Sequence, residues 1–160
     1  MAYKVLVSKS NLQFAASHFI TMEGKCELIH GHNYAVSLEL KGDLTEDGYV
    51  FDFVALKRAL RETIETLDHR FLLATKNPHL QITEDNESYE ILYKQDRYVL
   101  PKRAVKALPL ENITAELLAT YIFAQIRPVF HLENTQQIQT MTIGVEEATG
   151  QTAYFTSPIH

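Results

Sequence analysis

A chain of 160 residues that is 46% apolar has the size and hydrophobic content of one domain with one real core, and it holds no run of the ~18 apolar residues that a membrane span needs. The formal charge is −5, with no basic stripe and no aromatic–basic interleaving, which argues against nucleic acid or a membrane as a partner and leaves room for a small anion held by a local cluster. One cysteine excludes an internal disulfide, and the N-terminal residues lack the apolar core and small-residue cleavage site of a secretory signal, so a reducing cytoplasm is the expected setting.

In chain order, residues 3–15 read as a strand. Residues 33–41 alternate, with Tyr34, Val36, Leu38 and Leu40 on one face. Asp52 is a fitting N-cap for a helix from about Phe53 to Thr66, whose Phe53, Leu56, Leu60, Ile64 and Leu67 form one apolar stripe. Residues 75–86 read as a polar loop around Asn77-Pro78, and 88–100 as a hairpin turning at Gln95-Asp96. Thr114 caps a second expected helix to about Arg127, with Leu117, Leu118, Tyr121, Ile122 and Ile126 inward and Pro128 just past its end. Two last strands, in "QIQTMTIGVEE" and "QTAYFTS", meet around Gly150. Strand, strand, helix, hairpin, helix, strand, strand predicts an α+β domain of antiparallel neighbours with two helices on one face.

The segment "KCELIHGHNY" at 25–34 gathers the only cysteine and two of the seven histidines. On a strand, His30 and His32 point to the same face, and Gly31 between them admits a close neighbour. His18, in "FAASHF", closes the first strand and is the best third ligand. Three histidines with one open position make a catalytic zinc arrangement. His18 alone also fits a hydrogen-bonded core histidine. Cys26 fits three roles: a fourth ligand that closes the site, a buried small apolar group, or a reactive thiol beside Lys25.

The pieces "FAASH", "CELIHGHNY", "DGYVFDFVALK", "LDHRFL", "NITAE" and "VEEATGQTAY" occur in one order along nearly the whole chain. In that order they resemble the 6-pyruvoyl-tetrahydropterin synthase family, which includes the 6-carboxytetrahydropterin synthases of queuosine biosynthesis. The resemblance implies a tunnelling fold: a four-stranded antiparallel sheet with two helices on one face, here with an inserted hairpin in a subgroup-specific region of about 75–108 within one domain, 1–160. It implies His18, His30 and His32 as ligands of Zn²⁺, Cys26 as the catalytic thiol, and Asp68 with His69 as the pair that relays protons with it. Glu146 matches the acid that anchors the pterin ring, and Thr114 and Glu116 match the segment lining the pterin pocket. Where the family usually has threonine after that acid, this chain has Glu147.

The activity implied is a zinc-dependent lyase on 7,8-dihydroneopterin triphosphate, giving 6-carboxy-5,6,7,8-tetrahydropterin. The alternatives are a 6-pyruvoyl-tetrahydropterin synthase or a non-catalytic zinc or pterin-binding protein on the same scaffold. Lys25, Lys102, Arg103 and Lys106 are the nearby cations for a triphosphate. A homohexamer of two stacked trimers, with sites between subunits, is the implied assembly. Glu27 adds a second candidate base one residue from Cys26. A related branch lacks the cysteine and carries glutamate three residues before the first histidine, and that branch makes 6-hydroxymethyl-7,8-dihydropterin for folate. The pair in this chain predicts both routes.

Overall fold

The computed structural model describes residues 2–9, 11–131 and 135–160. Its strands and helices run in chain order as β1 (Tyr3–Val7), β2 (Gln13–His18), β3 (Thr21–Met22), β4 (Lys25–Cys26), β5 (His30–Gly42), α1 (Phe53–Glu65), β6 (Arg70–Ala74), β7 (Gln81–Glu84), β8 (Ser88–Tyr93), β9 (Asp96–Pro101), β10 (Val105–Leu108), α2 (Ala115–Ile126), β11 (Ile138–Ala148) and β12 (Gln151–Pro158).

The alternating segment becomes the longest strand, β5, and organises the rest. One edge of β5 pairs with two strands in succession, from His18 opposite His30 to Gln13 opposite Ala35, and then from Val7 opposite Leu38 to Tyr3 opposite Gly42. The expected strand at 3–15 is therefore two strands. Lys9 and Asn11 take left-handed φ values of 64° and 66°, which break the ladder between them. Ser10 lies outside the described residues. The other edge of β5 pairs with β11, and β11 with β12.

The expectation of four antiparallel strands is corrected here. The main sheet has seven strands, in the order β10-β6-β2-β5-β11-β12 with β1 also on β5, and it is mixed: β6 runs parallel to β2, and β10 parallel to β6. The reason lies in composition. Phe71, Leu72, Leu73 and Ala74 are all buried, so β6 is a continuous apolar run with no alternation to read. The region 75–108 holds a separate three-stranded sheet, β7-β8-β9, where a loop and a hairpin were expected. Its second turn is Lys94–Gln95, one residue earlier than expected, and Asp96 already pairs with Tyr93.

Both helices cover one face of the main sheet, as expected. Asp52 caps α1 by accepting from Val54 N at 2.9 Å and Ala55 N at 3.4 Å, and Thr114 caps α2 by accepting from Leu117 N at 3.3 Å. Leu56, Leu60, Ile64 and Leu67 are buried against Tyr34, Val36, Leu38 and Leu40, but Phe53 stays 50% exposed at the helix start, outside the stripe. On α2 the buried residues are Leu118, Ala119, Ile122, Phe123 and Ile126, while Leu117 and Tyr121 are half-buried. Pro128 falls inside a 3-10 turn, Arg127–His131, that continues α2. A second apolar cluster of Phe19, Phe71, Leu73 and Ile91 joins the small sheet to the large one. Among the described residues, no helix is long and apolar enough to cross a membrane.

Candidate metal centre

Strand periodicity places three imidazoles together. His18 sits directly opposite His30 in the β2–β5 ladder, His32 follows two residues on, and Tyr34 two further, all on the helix-covered face. A Cβ on Gly31 would stand 3.1 Å from the Ala16 carbonyl oxygen, so glycine lets the two strands close at this point. The ligand nitrogens of His18, His30 and His32 lie within 4.8 Å of one another, and the Nε2 atoms of His18 and His30 are 3.1 Å apart.

Backbone carbonyls fix the tautomers. His18 Nδ1–H donates to Ile113 O at 2.8 Å, and His30 Nδ1–H donates to Leu28 O at 2.9 Å. Each Nε2 is left with its lone pair aimed at the same point, the arrangement in which an outer hydrogen bond orients a metal-ligating imidazole. His32 Nε2 is buried without a hydrogen-bond partner, and the nearest acid, Glu147 Oε1, is 3.6 Å away. An orphaned buried nitrogen is costly unless something absent from the chain itself satisfies it. Burial is the main cause that lowers the His18 pKa, against the opposing pull of the Ile113 carbonyl, and so favours the neutral form that ligates metal. The donor set fits a divalent ion that accepts three imidazoles. Tyr34 OH lies 3.3 Å from both ring nitrogens of His18, and burial, then Glu147 and Glu27, push its pKa up and keep the phenol protonated.

The acids around this centre divide by sheet face. Glu27 Oε2 is 3.8 Å from His30 Nε2. A cleft of about 370 Å³ beside the histidines is lined by Glu27, Thr114, Glu116 and Glu147 together with Ile20 and Met22. Cys26 turns elsewhere. Among the described residues the metal-competent group is the three histidines, without the cysteine. Its Sγ lies 3.4 Å from the Glu27 carbonyl oxygen, and its side chain packs against the cluster of Phe19, Phe71, Leu73 and Ile91. The activation expected from Lys25 is not what governs this thiol: burial, then Asp96 and Glu27, push its pKa up.

Glu146 lies on the opposite face, and Asp68 and His69 lie in the turn between α1 and β6. Glu146 follows Val145 out of the core and lines a separate pocket with Ala35, Ser37, Thr152 and Tyr154, where its Oε1 accepts from Gly150 N at 3.0 Å. Asp68 and His69 form a pair, His69 Nδ1 to Asp68 Oδ2, at 2.8 Å. Both are tied to β2: Asp68 Oδ1 accepts from Ala15 N at 2.8 Å, and His69 N, at a left-handed φ of 54°, donates to Ala15 O at 2.6 Å. His69 borders a third pocket with Ala15, Ser17, Gly31, Asn33 and His32, and so shares that pocket with one of the three imidazoles. Glu147 and Tyr34 were not read as site residues. Period-two spacing from His32 and from the core residue Val145 marks them both.

Comparison with known proteins agrees with this geometry. Residues 7–158 match the family model described as 6-pyruvoyl tetrahydropterin synthase. A putative 6-carboxy-5,6,7,8-tetrahydropterin synthase of Pyrococcus abyssi is 35% identical over 117 residues, 71% of this chain and 69% of that one. One from Methanocaldococcus jannaschii is 28% identical over 147 residues, 91% of this chain and 90% of its own length. Among solved structures, the 6-pyruvoyl tetrahydropterin synthase of Plasmodium vivax superposes with a TM-score of 0.94 at 32% identity, covering 99% of both chains. Forms of that Plasmodium vivax protein with a catalytic glutamate replaced by alanine or by cysteine superpose with a TM-score of 0.92. A family match from end to end and three convergent imidazoles on its strands give one conclusion: the chain belongs to the 6-pyruvoyl tetrahydropterin synthase family of enzymes.

Proposed function

We propose that this chain is a zinc-dependent lyase that converts 7,8-dihydroneopterin triphosphate to 6-carboxy-5,6,7,8-tetrahydropterin, and that Glu27 also opens a route to 6-hydroxymethyl-7,8-dihydropterin. The observation that carries the reading is the set of three imidazoles, of which His18 and His30 donate Nδ1–H outward to backbone carbonyls while His32 Nε2 is buried without a partner. The names of the relatives support the substrate class.

Zinc held by His18, His30 and His32 would supply Lewis-acid polarisation of the substrate's side-chain oxygens. The chain's own groups then divide the work. Thr114 and Glu116 line the cleft that receives the pterin, and the Glu146 carboxylate matches the parallel N–H donors of its ring. For the hydroxymethyl product Glu27 Oε2 takes the proton of a side-chain hydroxyl as general base, the carbon bearing that oxygen becomes a carbonyl as its bond to the ring-side carbon breaks, and the ring-side carbon is reprotonated. Cys26 Sγ serves the carboxytetrahydropterin route. Glu146 faces away from this cleft within one chain, and His69 lies at a second pocket that His32 also lines, so the proposed roles of ring anchor for Glu146 and proton relay for Asp68 and His69 belong to a site completed between subunits of a hexamer.

The placement of Glu27 beside the histidines and of Cys26 away from them favours the hydroxymethyl route in this conformation. The Plasmodium vivax protein also uses a catalytic glutamate, which supports Glu27 as a base, whichever product that base makes. Product analysis on two zinc-loaded variants tests it. Cys26→Ala should lose carboxytetrahydropterin and keep hydroxymethyldihydropterin, and Glu27→Ala should do the reverse. An unchanged product spectrum in Glu27→Ala would remove Glu27 from the chemistry.

A further inference from the structure

One side chain outside the metal-ligand and base sets touches the supports of both. Asn112 lies in the loop before α2, and all three of its hydrogen bonds go to backbone. Its Oδ1 accepts from Thr21 N at 3.2 Å and from Ile113 N at 3.1 Å, and its Nδ2 donates to Thr21 O at 2.8 Å. Two N–H donors on one side and a carbonyl on the other leave a single orientation for the amide.

Each contact leads to the site in one further step. Ile113 is the residue whose carbonyl accepts His18 Nδ1–H at 2.8 Å, so holding the Ile113 N–H restrains the backbone that carries this carbonyl and with it the direction of the His18 ring. Thr21 opens the β3–β4 hairpin and stands opposite Cys26 in its ladder. Its preceding residue, Ile20, accepts from Glu27 N at 3.0 Å. The Thr21 hydroxyl is held from the other side by Asn77 Nδ2 at 2.8 Å, and Asn77 is itself buried. The hairpin tip is held separately, by Lys94 Nζ donating to Gly24 O at 2.7 Å.

We infer that Asn112 is a positioning residue that sets the metal ligand His18 and the base Glu27 relative to each other, by clamping the Ile113 and Thr21 backbones with one amide. Other side chains at position 112 do not reproduce these bonds. Aspartate keeps both acceptor bonds but places an oxygen against the Thr21 carbonyl, and alanine releases both arms. Outer groups that orient metal-ligating imidazoles typically contribute about 10–100-fold to metal affinity. The coupling of base and ligand adds an effect on turnover that a ligand-orienting bond alone would not give.

The inference rests on the metal reading proposed above, and the test separates the two. Zinc affinity by chelator competition, the visible spectrum of the cobalt-substituted protein, and kcat and KM are measured on wild type, Asn112→Ala, Asn112→Asp and Leu56→Ala. Leu56 is fully buried on α1 and serves as a stability control. Wild type without a stoichiometric metal ion would overturn the metal reading itself. With metal bound to wild type, Asn112→Ala should bind zinc about 10–100-fold more weakly. It should also show a changed cobalt spectrum and lose kcat more than KM. Asn112→Asp should fall between the two and decides the matter if the alanine variant does not fold. Leu56→Ala should lower Tm and leave metal affinity and the cobalt spectrum as in wild type. A folded Asn112→Ala or Asn112→Asp protein with wild-type metal affinity, cobalt spectrum and kcat would overturn the positioning role.

Discussion

Cys26 and Glu27 are neighbours in sequence and occupy different surroundings. Glu27 follows the last residue of β4 and turns toward His30, while Cys26, still in the ladder opposite Thr21, packs against Phe19 and Phe71. Charge reinforces the difference, because Asp96 and Glu27 both disfavour the thiolate after burial has raised the thiol pKa. Asp96→Asn should therefore lower the Cys26 pKa and speed its alkylation at neutral pH. A rate equal to wild type would show that Asp96 does not act on the thiol. Asp68 shifts the other way, its pKa lowered first by the Ala15 N–H and then by His69. A carboxyl depressed in the folded state stabilises the protein above its unfolded pKa and stops doing so as pH falls through the folded value. Asp68→Asn should lower Tm near neutral pH, with the gap to wild type closing below about pH 4. A gap constant across that range would contradict the shift.

At the scale of elements, the parts legible in the sequence were those with a periodic signal. The even-numbered face of β5, both N-caps and the α1 stripe from Leu56 to Leu67 follow from spacing, and so does the meeting of His30 with His32. The pairing of His18 with His30 depends on register between strands, which no local window contains. β6 was missed because burial on both faces erases alternation, and β7 because four residues with one half-buried apolar side chain look like loop. The placement of Glu146 and Glu147 on opposite faces follows from the strand period once Val145 is known to be core. The caps allow a test confined to one element. Asp52 serves α1, and α1 supplies no residue to the metal cleft. Asp52→Ala should cost about 1 kcal/mol of stability, read as a lower Tm, with metal content unchanged. Loss of metal in that variant would mean that α1 and the histidines are coupled.

Across the whole molecule, the small sheet covers the second face of the main sheet at β6, while the polar face around β5, β11 and β12 and the outer strands lack cover within one chain. β12 and β10 are the sheet's outer strands, and Tyr3, Leu6, Tyr49, Phe53, Val54 and Tyr154 are large apolar side chains left exposed. The pocket bordered by Glu146 opens on that same face. These features support the proposed hexamer, and light scattering should find a species of six 18.3 kDa chains. A monomer in solution would contradict the proposed hexamer. The central claim is that the three histidines hold the metal on which lyase chemistry depends. The measurement that tests it is turnover of 7,8-dihydroneopterin triphosphate by protein as purified, after exhaustive chelation, and after zinc is returned, with products identified by mass spectrometry. The account predicts a pterin product as purified, none after chelation, recovery with zinc, and no recovery in His30→Ala. Full turnover by metal-free protein, or restored turnover in zinc-treated His30→Ala, would contradict it.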